Sequence, residues 1–275
     1  MNCFQLIKTV LDEAYKAIPG NAAAKDAAVT TALTQLSKEY KNLTTAGCLD
    51  YSDPARRFAY IFRYTTSHAN LVYECIRGSK ELRAVFDRSK VLLSCVGGGP
   101  GSDFLGVLKY CEAFKKTPEV KCLLLDRDPA WGESWLDVDE KVGVTQRITT
   151  VFNSLDVTDS SKWQVFTKHH HADVFTLIYF MSEVYAKKSA AEPYFDALFA
   201  GMQPGAVLLF VDNNDSRFID WFDGLAKKHG LTVLSQSSGN HTMPTDEDKK
   251  SLEPYFTKFG CPKLTANIAW RVVQK

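Results

Sequence analysis

The 275-residue chain has no apolar run approaching the ~20 residues needed to span a bilayer. It has no charge excess either: 33 lysines and arginines stand against 32 aspartates and glutamates. A formal charge of +1 supplies no overall field toward phosphate backbones or anionic lipid, which leaves nucleic acid unsupported though not excluded. The seven cysteines are odd in number, scattered and never arranged as CxxC, which suits reduced thiols and argues against a zinc site. There is no internal repeat and no low-complexity linker. The opening stretch, MNCFQLIKTVLDEAYKAI, carries Lys8, Asp12 and Glu13 within its apolar pattern, unlike a secretory leader. These absences lead to the expectation of a soluble, cytoplasmic protein with neither a membrane partner nor a metal.

What is present is ordinary globular material, 45% hydrophobic and 24% charged, enough to bury a sizeable core. The length suits one large domain, or one domain with an added lobe. Residues 1–88 read as helical, with Phe4, Ile7, Val10 and Leu11, and later Phe58, Ile61 and Phe62, near a 3.6-residue period. Ser52 or Asp53 can cap a helix with Pro54 in its first turn, and Gly78 offers a stop. From residue 89 the texture changes to short apolar runs separated by helix-length segments: VLLSCV, KCLLLD, ITTVFN, DVFTLIYF, AVLLFVD, LTVLSQ and NIAWRVV. That alternation predicts an α/β fold, a doubly wound seven-stranded mainly parallel sheet over residues 89–275, with its last strand entering antiparallel. The helices of residues 1–88 form an N-terminal lobe or lid.

The stretch VLLSCVGGGPGSD, residues 91–103, runs from a strand into glycines and then a helix. Glycine lets a ligand approach the main chain, and the following helix turns free amides toward an anionic group. A dinucleotide fingerprint beginning at Gly97 would need glycine or alanine where Ser102 stands, whereas GxGxG fits Gly97, Gly99 and Gly101. A plain glycine turn is the alternative. Asp126 ends the second strand, where a carboxylate can accept two hydrogen bonds from a ribose diol. Asp156 and the Val157 backbone end the third, where an adenine edge can be read.

On these pieces, with DVFTLIYFMSEVY and MQPGAVLLFVDNN, the chain over residues 88–275 resembles the class I S-adenosylmethionine-dependent methyltransferases, with their Rossmann-like methyltransferase fold. The resemblance implies S-adenosyl-L-methionine as cofactor, held by Gly97, Gly98, Gly99, Gly101, Asp103, Asp126, Arg127, Asp156, Val157 and Tyr179. The family usually places an acid two residues before the first glycine, and here that position is Cys95. The consequences open to the chain are weaker binding, compensation by another carboxylate such as Asp103, or a degenerate site.

Methyl transfer needs in-line placement, with a general base when the acceptor must lose a proton. YFMSEVY supplies Tyr179, Phe180 and Glu183, with Glu183 able to orient an amine or take its proton. Phe180 as core and Glu183 as a helix-starting acid are the structural alternatives. Tyr60, Arg63, Tyr64 and His68 are spaced by three or four residues and can share one helix face over the site. Among them Arg63 can pair with the methionine carboxylate, Tyr64 joins Glu183 and Tyr179 as catalytic candidates, and Tyr60 joins Phe180 and Asn213 in acceptor binding. Asp215 reads as a helix cap, KHHHAD as an exposed turn, and Trp131 and Trp135 as core residues that can alternatively flank adenine. The reading is methyl transfer to a small molecule, such as an amine, enclosed by the lobe. Its rivals are an RNA or protein methyltransferase, a non-catalytic S-adenosylmethionine-binding protein, and a nicotinamide dehydrogenase.

Overall fold

The computed structural model describes residues 2–45, 49–133, 148–242 and 247–275. Helices come first: α1 (Cys3–Ala17), α2 (Ala22–Glu39), α3 (Pro54–Tyr60), α4 (Thr66–Gly78) and α5 (Lys80–Val85). Asp53 accepts the Ala55 amide at 3.0 Å and Pro54 occupies the first turn, so α3 begins where a cap and a proline meet. A π-helical turn, Ile61–Thr65, joins α3 to α4.

Strands and helices then alternate through β1 (Lys90–Val96), α6 (Ser102–Ala113), β2 (Glu119–Asp126), β3 (Ile148–Ser154), β4 (Val174–Ile178), β5 (Val207–Asn213), β6 (Thr232–Thr242) and β7 (Thr265–Gln274). All seven apolar runs form strands of one sheet in the order β3-β2-β1-β4-β5-β7-β6. Strands β1 to β5 are parallel, and β7 inserts antiparallel between β5 and β6. The order reverses between β1 and β4, which opens a crevice at the carboxyl ends of the strands.

The central parallel strands β4 and β5 are apolar along nearly their whole length because both faces are covered. From β5, Val207, Leu209 and Val211 join a cluster with Phe4, Phe58 and Val72, while Leu208 and Phe210 join one with Phe195 and Phe222. The first face thus carries α1, α3, α4 and α6, and the second carries the helices Lys188–Gly201 and Ser216–Lys228. Residues from the first 88 and from the sheet share one continuous core, from Phe4 to Val272. α4 packs on α6 through Gly106, where an added Cβ would come within 2.5 Å of Val72 Cβ and 2.6 Å of the Ala69 carbonyl oxygen.

One expectation changes and one holds. Lys168–His171 is a short 3-10 turn rather than an exposed one: His169 and His170 are buried, and the His169 ring bonds Tyr194 Oη at 3.0 Å and stacks on Phe166. Trp131 is fully buried as core, against Tyr51 and Tyr60. Trp135 and Cys48 lie outside the described residues. The six described cysteines are unbridged, and no described helix is long and apolar enough to cross a membrane.

Candidate functional site

At the crevice, the chain leaves β1 into the glycine loop and enters α6 at Gly101, whose backbone is left-handed (φ +73°) and which supplies no side-chain cap. The neighbouring ends of β2, β3 and β4 surround a pocket that opens to solvent. Asp126, Arg127, Asp156, Val157, Phe180 and Glu183 all line it, and Leu49 and Tyr51 from the N-terminal segment close it.

Asp126 is positioned by backbone: Oδ2 accepts the Gly99 amide at 3.3 Å and Oδ1 the Asp128 amide at 3.1 Å. Two further lone-pair sites of the carboxylate remain, which is what a vicinal diol requires. Burial pushes Asp126 up to about 6, against the pull of those two amides. Asp156 is held by the amide and hydroxyl of Thr158, at 2.9 and 2.7 Å, between the apolar Leu155 and Val157. Arg127 donates to the Leu49 carbonyl at 2.5 Å and so fastens the N-terminal segment to the end of β2.

Glu183 stands in the short helix Phe180–Val184 after β4. Its carboxyl accepts a hydrogen bond from the Tyr40 phenol, yet its depth pushes it up to about 8. The Asp126 and Asp212 carboxylates add to that rise, while Tyr40 opposes it. Asp212, fully buried at the end of β5, anchors the same helix by accepting the Ser182 amide at 2.9 Å. Asn213, beside it, bonds back to Asp212 and reaches Ser182 Oγ at 3.5 Å; it is not part of the cavity lining.

Tyr179 adopts a left-handed conformation (φ 57°) at the strand end, which turns its ring under His68 at 4.1 Å between centroids. Its buried hydroxyl has no hydrogen-bond partner among the described residues. Tyr60, Tyr64 and His68 form one row, with centroids 5.2 and 5.8 Å apart, because a π-helical turn of about 4.4 residues brings every fourth residue into line. Arg63 does not join that row. One position off, its guanidinium donates to the Cys261 carbonyl at 3.0 Å on the outer side of the turn, away from the cavity.

The glycines hold a different place from the one their bareness suggested. At Gly97 a Cβ would meet the Phe180 ring at 2.0 Å, at Gly98 Cys95 Cβ at 2.5 Å, and at Gly99 Trp131 at 2.4 Å and Asp126 Oδ2 at 2.6 Å. The loop is bare because these side chains of the chain itself pack on it, and none of the four glycines lines the cavity. Beneath it, Cys95 faces Cys122 with the sulfurs 3.7 Å apart. Burial first, then the Cys122 thiol and the Asp103 carboxylate, hold the Cys95 thiol well above its ordinary range. Asp103, in the first turn of α6, is buried, bonded by Thr176 Oγ1 and raised by burial to about 6.

Sequence reasoning missed Leu49 and Tyr51, which stand between helices, and Tyr40 at the end of α2. It placed Asp212 on the rim after β5 as an acceptor ligand, whereas the structure has it anchoring the Phe180–Val184 helix. His68 was visible only as a member of a helix face.

No protein-family model and no curated protein matches the chain by sequence. Solved structures do match by shape. An O-methyltransferase family protein from Burkholderia thailandensis superposes with a TM-score of 0.50 at 12% identity, over 89% of this chain and 68% of that one. An N-methyltransferase from Bradyrhizobium japonicum in complex with S-adenosyl-L-homocysteine has a TM-score of 0.42 at 11% identity, over 74% of this chain and 87% of that one. An O-methyltransferase family 2 protein from Planctomyces limnophilus has a TM-score of 0.42 at 14% identity, over 97% and 65%. At such identities the likeness is one of fold.

Proposed function

From a chain that carries the class I methyltransferase fold, we infer an S-adenosylmethionine-dependent methyltransferase whose acceptor is a small molecule with an ionisable nucleophile, such as an amine. The observation that carries the reading is that Asp126, Asp156, Val157 and Glu183, from three strand ends, line one cavity at the reversal of strand order. The cofactor supplies a methyl group on a sulfonium. Asp126 would take the ribose hydroxyls on its two remaining lone-pair sites, and Leu155, Asp156 and Val157 would hold the base. The amides at the start of α6 and the glycine loop would meet the amino-acid end once the half-buried Phe180 ring swings aside, with Asp103 supplying the carboxylate that Cys95 does not.

Catalysis then asks little of the chain beyond placement and a base. Glu183 is the base: its carboxylate takes the proton from the acceptor, and the Tyr40 phenol keeps it oriented. Because Glu183 titrates at about 8, proton acceptance grows as pH rises through that value. Tyr64 and Tyr60, with Tyr40, surround the approach to Glu183 with aromatic faces, which favour a cation. The unpartnered hydroxyl of Tyr179 is free to bond the acceptor. Residues 1–88 act as the lobe that excludes water, with Leu49 and Tyr51 on the cavity and Arg127 as the fastening.

Calorimetric titration with S-adenosylmethionine and S-adenosylhomocysteine tests the reading. Binding of both that is weakened in D126N, followed by turnover on amines and not on RNA or protein, is the expected result. Absence of binding by either ligand ends it.

A further inference from the structure

On the outer side of the lobe an open groove is lined by Lys38, Lys41, Arg63 and Lys258, with Thr34 and Ser37 also on it and no carboxylate on its lining. Lys258, from the helix Glu253–Phe259, pairs with Asp26 at 3.0 Å. Among the described residues Lys38, Lys41 and Arg63 show no acidic partner. The α2 macrodipole accounts for a cation such as Lys38 in its last turn. It does not account for Arg63 arriving from the π turn, nor for Lys258 from a helix about two hundred residues later in the chain. Lys263 adds to the same charge: its amide donates to the Arg63 carbonyl at 2.9 Å, and burial together with the Arg63 guanidinium lowers its pKa. Bringing like charges together costs free energy that an anion placed between them returns.

Lys41 follows Tyr40 and Arg63 precedes Tyr64, so the groove adjoins two residues whose rings pack on each other with centroids 5.0 Å apart. The Tyr40 phenol in turn bonds Glu183 of the candidate site. We propose that this groove holds the phosphate group of the methyl acceptor, so that the acceptor is a phosphate-bearing small molecule whose nucleophile reaches Glu183 as the contacting Tyr40 and Tyr64 rings move apart. The assignment to an acceptor rests on the methyl-transfer reading; the anion site itself does not. A small ligand fits better than a nucleic-acid strand because the cations are confined to one groove of a chain whose net charge is +1, without the extended basic stripe that a phosphate backbone requires.

The test is a calorimetric titration of the full chain with inorganic pyrophosphate at low salt, repeated with the double substitution K38Q/K41Q. Both side chains are exposed, so folding is not at stake. Saturable binding that weakens by about tenfold in the double variant, with S-adenosylhomocysteine binding unchanged, supports the site. No saturable binding, or binding that ignores the two substitutions, overturns it. Tighter binding of a short single-stranded RNA, with the same dependence on Lys38 and Lys41, overturns the small acceptor in favour of a nucleic-acid strand. The pyrophosphate titration contains no methyl donor, so its failure leaves methyl transfer standing, and loss of S-adenosylhomocysteine binding leaves the groove standing.

Discussion

Asp126 and Glu183 face one cavity and burial raises both, to about 6 and about 8; two amides hold Asp126 down, whereas Glu183 has a single phenol and is raised further by the Asp126 and Asp212 carboxylates. At neutral pH Asp126 is therefore mostly ionised and ready to accept from a diol, while Glu183 is mostly protonated. Asp126→Asn turns one acceptor oxygen into a donor and removes the charge. S-adenosylhomocysteine affinity should fall by about 10- to 100-fold in calorimetry, the range of 1.5–3 kcal/mol for a charged hydrogen bond. Tyr40→Phe removes the hydrogen bond that holds Glu183 down. The rise of methyl-transfer rate with pH should then move upward by about one unit, since a bond of roughly 1 kcal/mol corresponds to nearly that shift. An unchanged profile in Y40F would remove Glu183 from the role of base.

Between elements, the contact of α4 with α6 is sensitive to a single atom. Gly106→Ala gains about 1 kcal/mol of helix propensity, but its Cβ must displace Val72 and the α4 backbone, at about 1–3 kcal/mol. We expect a net loss of stability, read as a lowered thermal midpoint. The consequence reaches the site, because α6 begins at the glycine loop and α4 continues from the π turn that aligns Tyr60, Tyr64 and His68. That turn also explains why Arg63 was misplaced by spacing alone: a three- or four-residue interval puts residues on one face of an α-helix, whereas the wider π turn selects the interval of four.

For the molecule as a whole, burying carboxyl groups at the crevice makes stability depend on pH. Asp103, Asp126 and Asp212 are raised to about 6 and Glu183 to about 8, each first by burial. The folded form therefore binds these protons more tightly than the unfolded chain. The stability they confer is complete below the ordinary carboxylate range and is lost as pH rises through 6 and then 8. The thermal midpoint of the protein should decline from about pH 5 to pH 9, and Glu183→Gln should flatten the decline up to about pH 8. A midpoint that climbs over this range would contradict the buried, protonated carboxyls.

Much of this architecture is local and could be read before the fold was known. A strand buried on both faces must be apolar along its length, so the central runs β1, β4 and β5 announced themselves, and an Asp-Pro pair before an apolar period announced α3. The residues at the ends of β2 and β3 were legible for the same reason, since a strand's end fixes where its next side chain points. The histidines at 169 and 170 were misread because polar residues in a row resemble a solvated turn, and only Tyr194 and Phe166, from elsewhere in the fold, make a buried place for them.

The sequence by itself thus determined the strands, their mainly parallel sense and the carboxylates at their tips, because periodicity and strand ends are properties of neighbouring residues. Only the tertiary structure decided that β7 lies between β5 and β6, that Phe180 and Trp131 pack on the glycines, and that Tyr40 reaches Glu183 across 143 positions. Those pairings join residues remote along the chain, and which of many apolar or polar partners meet is fixed by the packing of the whole core.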